Sequence, residues 1–356
     1  MKIPMVNLQP MLEATESAWQ ANLRRLFERM HFILGEHTAA FETELAKAFG
    51  ARYAVGVGTG TSAIELALRA AGLGGSGAEV ICPALTSPFT AHAIIAAGCR
   101  PTFADVDPEH LLLDPADAES RIARKTAAIL PVHLYGQPCD LAPLRALARR
   151  RGLLLVQDAC QAHGAPLRYA DTAAFSFYPT KNLPCLGDGG AIVTDSRRIA
   201  DAVCLLRDGG RRNDQVARIP ALNSRLDEMQ ACYLRAFLPK LQEWNRDRAR
   251  LAALYDRALE TSGRVRPVAR RAGSVCHLYV VRAARRDRLR AQLAAQDIAT
   301  GVHYPVPLHM QPAFREFAPK RGGLPVSERA CREILSLPLW PYMPDGMVEE
   351  VAARLA

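Results

Sequence analysis

The sequence predicts an α/β protein: a large domain built on a mainly parallel sheet, followed by a smaller α+β domain. Three observations carry this reading. Strand-like and helix-like segments alternate over the first two-thirds of the 356 residues, the rhythm of a parallel sheet with helices on both faces. The strand segments are buried apolar runs rather than alternating ones, as a sheet covered on both faces requires. Near Asp227 the pattern changes to long helix and then to a mixed set of elements.

Taken in order, Ala54 to Gly58 reads as a short strand. A glycine-rich turn follows, and Thr61 to Gly72 has apolar residues at helical spacing. Glu79 to Pro83 is strand-like and Thr90 to Gly98 helical; Pro101 to Val106 is strand-like and Ala116 to Lys125 helical. A strand is expected over Thr126 to Tyr135, a helix over Leu141 to Arg151, and a strand over Leu153 to Asp158. Ala173 to Tyr178 and Ala191 to Thr194 complete the sheet. Asp227 to about Thr261 reads as long helix, kinked or split at Pro239, whose ring and missing N–H interrupt the ladder. Beyond it come a strand at His277 to Val281, a helix at Arg285 to Gln296 and a strand at Thr300 to Tyr304. The proline-rich stretch Pro305 to Pro325 is irregular, and helices close the chain near Ser327 to Ile334 and Asp345 to Leu355. Two domains, 1–240 and 241–356, fit the prior of roughly 150 residues each.

Composition narrows the function. Hydrophobic residues are 49% and charged residues 23%, which excludes a disordered or collagen-like chain. The longest apolar runs, such as Ala127 to Val132 and Gly152 to Val156, fall far short of the ~20 residues that span a bilayer. Met1 to Glu16 carries acids and polar residues where a secretory leader would be apolar. A soluble cytoplasmic protein is expected, without a membrane partner. The net charge of +9 comes from arginine, since only six of the 45 basic residues are lysines. It fits an anionic partner or an arginine-rich surface. No basic run is interleaved with aromatics, so nucleic acid is not expected. The nine cysteines, an odd number with no CxxC pair, argue against a disulfide framework and against zinc; no metal site is expected.

Three segments can carry chemistry. In GVGTGTSAIELAL (Gly56–Leu68) a strand ends, glycines turn, and a helix begins at about Ser62 with Thr61 or Ser62 as its cap. Free N–H groups at such a helix start suit a phosphate. The run lacks the third glycine of a dinucleotide fingerprint. In LLLVQDACQAHGA, Asp158 ends a buried strand, where open α/β sheets bind ligands, and a carboxylate there needs a partner. In AAFSFYPTKNLPCLGDGGAIVTD, Lys181 follows an apolar strand. Lysine, unlike arginine, can lose its proton when desolvated and act as a nucleophile. Ser176 can add a hydroxyl to a phosphate. A phosphate cradle, an aspartate and a nucleophilic lysine in this order are what pyridoxal phosphate requires: a Schiff-base lysine, a partner for the pyridine nitrogen and a hold on the phosphate.

The chain also resembles the nucleotide-sugar aminotransferases of the DegT–StrS group, which are fold-type I pyridoxal-phosphate enzymes. The similarity runs through ILGEHTAAFETELAKAFG, GTGTSAIELAL, TAAILPVHLYGQPCDL, QDACQAHGA, FSFYPTKNL, GDGGAIVTD, NSRLDEMQA, GVHYPVPLHMQPAF and SERACREILSLPLWP, nearly the whole chain. It implies a mainly parallel seven-stranded sheet between helices. It implies that Lys181 holds the cofactor and shuttles the proton, that Asp158 pairs with the pyridine nitrogen, and that Gln161 lies close to the ring and its 3-hydroxyl. Gly60, Thr61, Ser62 and Ser176 would bind phosphate, and Asn223 the phosphate of the other subunit's cofactor in a homodimer. His303 and Tyr304 would line the sugar pocket with Tyr178. The implied reaction takes an amino group from L-glutamate, leaving 2-oxoglutarate and pyridoxamine phosphate, and gives it to a keto sugar on a nucleoside diphosphate. Gln161 and NLPCLGDGG look more like members that aminate C3 than C4, where histidine is commoner at the Gln161 position. Dehydratase relatives replace the lysine with histidine, whereas this chain has Lys181; a regulatory protein keeping the fold is the other alternative.

The chain departs from the family in three places. Ser87 stands where an aromatic usually stacks on the cofactor ring; Phe89 is the aromatic available to replace it, or the ring is stacked less tightly. Gln157 stands where the family has glutamate, and the stretch from Asp158 to Lys181 is short.

Overall fold

The computed structural model describes residues 2–169, 171–212, 214–319 and 322–355. Seven strands, β1 (Tyr53–Val57), β2 (Glu79–Pro83), β3 (Arg100–Ala104), β4 (Thr126–Ile129), β5 (Leu154–Asp158), β6 (Thr172–Ser176) and β7 (Gly190–Thr194), form one sheet in the order β1-β7-β6-β5-β4-β2-β3. Only β7 runs against its neighbours, β1 and β6; every other pair is parallel. Parallel neighbours need crossovers, and helix Pro88–Ala96 supplies the one from β2 to β3 and helix Leu141–Arg151 the one from β4 to β5. The middle of the sheet is fully buried, with Val80, Ile81, Ile129, Ala174 and Ile192 all in the core. Helix Leu141–Arg151 shows why such helices form where they do. Asp140 accepts from the Ala142 N–H at its start, three arginines sit in its last turn, and Gly152 ends it at φ 64°.

The second part of the chain packs three antiparallel strands, β8 (Arg266–Pro267), β9 (Tyr279–Arg282) and β10 (Ile334–Leu337), in the order β10-β9-β8. Helices Leu241–Leu259 and Asp345–Ala353 cover it through Leu251, Tyr255 and Val348. Ile3, from the other end of the chain, lies in the same core and bridges Ile298. The long helix is split as Pro239 requires, into Glu228–Phe237 and Leu241–Leu259 with a 3-10 turn between them.

Several expectations change. The strand expected through Tyr135 stops at Ile129; a 3-10 turn at Leu134–Gly136, with Tyr135 at φ 61°, replaces its end. Thr300 to Tyr304 forms no strand, because its only ladder contact is an isolated bridge from Gly301 to Ser336. The helix expected over 116–125 is a short one, Pro115–Ser120. Helix Arg197–Arg207 and strands β8 and β10 were not foreseen.

Two buried side chains tie distant segments together. Glu228, 0% exposed, accepts from the N–H groups of Gly35 (3.0 Å), His37 (2.8 Å) and Thr38 (2.7 Å). It therefore caps helix Glu36–Phe49, whose own N-cap, Gly35, has no side chain to do so. Gln157 explains its departure from glutamate. Its Nε2 donates to the carbonyls of Arg168 (2.9 Å) and Asp171 (3.2 Å), a role no carboxylate can fill, and this anchors the shortened stretch. Its Oε1 pairs with His133 Nε2 at 3.0 Å, while His133 Nδ1 accepts from the Cys139 N–H at 2.9 Å. The second bond assigns the ring proton to Nε2.

Two outcomes follow. Glu228→Ala leaves three buried N–H groups unpaired and should lower the unfolding free energy by roughly 3 kcal/mol; a loss under ~1 kcal/mol in denaturant titration contradicts the capping role. Burial pushes His133 down to about 4 from its ordinary 6.5. Between those values the unfolded chain binds a proton that the folded chain refuses, so stability falls as pH falls through the window. His133→Asn removes that titration. Its destabilisation relative to wild type should therefore shrink by about 2 kcal/mol between pH 7 and pH 4.5, and an unchanged gap would contradict the assignment.

Candidate active site

The site is built on the C-terminal ends of adjacent strands β5 and β6, where the parallel register sets Asp158 opposite Ala174. Asp158 is 5% exposed. Its Oδ1 accepts from the Cys160 N–H (3.1 Å) and its Oδ2 from the Thr90 hydroxyl (2.8 Å), with Thr86 donating to Thr90 in turn (3.1 Å). Thr90 projects from helix Pro88–Ala96, so the crossover after β2 fixes the carboxylate.

Lys181 lies in the turn beyond β6, with its N–H donating to the Tyr178 carbonyl at 2.8 Å. Burial lowers the pKa of its amine, and Cys160 and Asp158 pull it back up. These three side chains thus lie near enough for their charges to interact. The next residue locks the turn. Asn182, fully buried, donates through Nδ2 to Asn245 Oδ1 (2.8 Å) and the Val275 carbonyl (2.9 Å), and accepts from His277 Nδ1 (3.0 Å). Asn245 belongs to helix Leu241–Leu259 and also donates to the His163 carbonyl at 2.8 Å.

The start of helix Gly60–Leu68 borders the same groups. Its cap is Thr59, whose side chain accepts from the Ser62 N–H at 2.9 Å; the expected caps, Thr61 and Ser62, already lie within the helix because it begins two residues earlier. First-turn N–H groups have no partner within the helix ladder itself, and here the Thr59 side chain takes the one on Ser62. A Cβ on Gly60 would stand 2.5 Å from Ser176 Cβ and 2.9 Å from Cys160 Sγ. One on Gly190 would collide with the Thr59 carbonyl oxygen, which accounts for the last glycine of GDGG where β7 passes under the turn. The start of the helix that carries Gly60, Thr61 and Ser62 is thus packed directly against Ser176.

On the other side Gln161 accepts from the Tyr135 N–H (2.7 Å) and donates to the Tyr304 hydroxyl (3.3 Å). The Tyr135 hydroxyl holds the His303 carbonyl at 2.6 Å, and His303 Nδ1 pairs with Ser336 Oγ at 2.9 Å. Burial, and then the Lys181 charge, push His303 down to about 4, so it is neutral at pH 7. Tyr178 is 52% exposed, and Asn223 is exposed with only its backbone pairing to Asp208, while its neighbour Ser224 accepts from the Gly58 N–H at 3.1 Å. Phe89, on helix Pro88–Ala96, is 61% exposed, and its ring packs on His92. Among the described residues no group of three His, Cys, Asp or Glu side chains is placed to hold a metal ion. Thr90, Tyr135, Asn182, Asn245 and His277 were missed in the sequence; only Asn182, beside Lys181, had a local signal.

The family model described as DegT/DnrJ/EryC1/StrS aminotransferase family matches residues 14–356. A pleiotropic regulatory protein of Geobacillus stearothermophilus is 39% identical over 100% of this chain and 98% of its own length. A dTDP-3-amino-3,4,6-trideoxy-alpha-D-glucose transaminase of Streptomyces venezuelae is 42% identical, covering 96% of this chain and 92% of that protein. The crystal structure of S. venezuelae DesV in complex with a ketimine intermediate superposes with a TM-score of 0.95 at 40% identity, over 99% of this chain and 97% of that one. Family match and fold agree with the pocket: the chain belongs to the DegT/DnrJ/EryC1/StrS aminotransferase family of pyridoxal-phosphate-dependent enzymes.

Proposed function

We propose that the protein moves an amino group from L-glutamate to C3 of a keto sugar carried on a nucleoside diphosphate, leaning to a 6-deoxyhexose. The observation that carries the reading is the proximity of Asp158 and Lys181 beside a glycine-lined helix start. These donors fit pyridoxal phosphate. The glycine turn, Ser62 and Ser176 would hold its phosphate, and Asp158 its pyridine nitrogen. When bound, that cofactor supplies the electron sink for the amino transfer. Thr90 and the Cys160 N–H keep the Asp158 carboxylate aimed. Lys181, with its pKa lowered, can give up its proton and act as base, then return the proton to the carbon that needs it. Neutral His303 and Tyr304 would offer the sugar hydrogen bonds without charge, and surface arginines would attract the diphosphate.

A homodimer with shared sites is part of the proposal. Phe27, Met30, Phe32 and Ile33 are exposed together near the exposed Met229, an apolar face suited to a second copy, and Asn223 is free to reach a partner's site. The nine free thiols suit the reducing cytoplasm. The regulatory name of one relative favours a second reading, a protein that keeps the fold without turnover; the intact Asp158–Lys181 pocket favours catalysis.

Assays of 3-keto and 4-keto nucleotide sugars side by side should show turnover of the 3-keto compound, and activity confined to the 4-keto compound would refute the C3 assignment. Lys181→Ala should lower turnover at least a hundredfold, the order of magnitude of a lost general base; a variant with full activity would refute the mechanism.

A further inference from the structure

Tyr135 stands where several distant segments meet. It lies in the turn beyond β4, 2% exposed, at φ 61°, a left-handed conformation that is costly for a residue with a side chain. Gly136 follows at φ 87°, and a Cβ there would stand 2.8 Å from the His277 nitrogen. Such a turn persists only where its surroundings over-determine it. Here the Tyr135 N–H donates to Gln161 Oε1 at 2.7 Å, and its carbonyl accepts from the His277 N–H at 3.0 Å. The Gly136 carbonyl accepts from the Val275 N–H at 2.9 Å. The Tyr135 hydroxyl donates to the His303 carbonyl at 2.6 Å. His277 in turn reaches Asn182, the neighbour of Lys181, through Nδ1 at 3.0 Å.

Part of this network is a closed ring. Gln161 spends Oε1 on the Tyr135 N–H, so its Nε2 is the atom that donates to the Tyr304 hydroxyl at 3.3 Å. The ring then returns along the backbone to the His303 carbonyl and the Tyr135 hydroxyl. Its two sides differ in kind. Gln161 and His277 are held by the backbone of residue 135, which any side chain in this turn would leave in place. His303 is held by the hydroxyl, which phenylalanine lacks. Gln161 belongs to the cofactor side of the site, and His303 to the sugar side.

We propose that Tyr135 is a positioning residue for the sugar half of the reaction: its hydroxyl sets where His303 stands, while its backbone holds Gln161. This rests on the functional reading above and adds to it a residue that acts on one half-reaction and not the other. Ser336 Oγ, 2.9 Å from His303 Nδ1, gives the same segment a second hold.

The test compares wild type with Tyr135→Phe as full-length proteins loaded with pyridoxal phosphate. Absorbance titration gives the cofactor Kd, and stopped-flow absorbance gives the rate at which L-glutamate converts the bound cofactor. The same signal gives the rate at which a dTDP-linked 3-keto-6-deoxyhexose reverses that conversion. Cofactor Kd and the glutamate step should stay within about twofold, while kcat/KM of the sugar step falls about tenfold or more, the scale of a slightly misplaced contact. Hydrogen exchange should quicken at amides 301–304 and stay unchanged around Gln161. Equal slowing of both steps would show general loosening and overturn the proposal; an unchanged sugar step would overturn it and leave the functional reading intact. Where Tyr135→Phe does not fold, Ser336→Ala decides: a sugar step slowed at least threefold with the glutamate step spared supports the proposal, and no change overturns it. A wild-type protein whose cofactor responds to glutamate but not to the sugar would overturn the acceptor reading, and the proposal with it.

Discussion

The structure depends on keeping the Lys181 amine and the Asp158 carboxylate together at one edge of the large sheet. Lysine and aspartate attract each other, but burial penalises both charges, so the pair persists only where the scaffold holds it. The scaffold here is the parallel pairing of β5 with β6. Parallel neighbours end on the same edge of a sheet, so Asp158 and the turn bearing Lys181 emerge side by side. β1 and β7 add the helix start at Gly60 to the same edge, and antiparallel β7 can pass beneath it only with a glycine at residue 190.

Around that edge, supporting groups remove freedom from the reacting ones. Thr90 and the Cys160 N–H fix the carboxylate. Asn182 ties the lysine turn to helix Leu241–Leu259 and to the segment leading into β9. Gln161, Tyr135 and Ser336 hold the stretch that carries His303 and Tyr304. The second part of the chain therefore completes one wall of the pocket. Such bonds lie away from the reacting atoms, yet small misplacements of a reacting group are costly in rate.

The strands of the large sheet were legible because each is a short apolar run bounded by turn residues. Helix Leu141–Arg151 was found at its observed limits, where the apolar spacing begins and ends between Asp140 and Gly152. Thr300 to Tyr304 looked like a strand by composition, but its backbone spends itself on a single bridge and on presenting side chains to the pocket. Within the site, residues in local motifs were found: Asp158, Lys181, Gly60 and Gln161. Their partners were not, because Thr90 to Asp158 and Asn182 to Asn245 are contacts between distant segments with no spacing rule to reveal them. Gln157 acquired its reason from the two carbonyls it holds.

The central claim is that this pocket performs amino transfer from an amino acid. The most direct test is the absorption spectrum of the purified protein with pyridoxal phosphate, recorded before and after L-glutamate is added. A visible band from the cofactor bound at Lys181 is expected, and glutamate should remove it as 2-oxoglutarate is released. A band that glutamate leaves unchanged would contradict glutamate as the donor, and no band at all would contradict the assignment of the pocket.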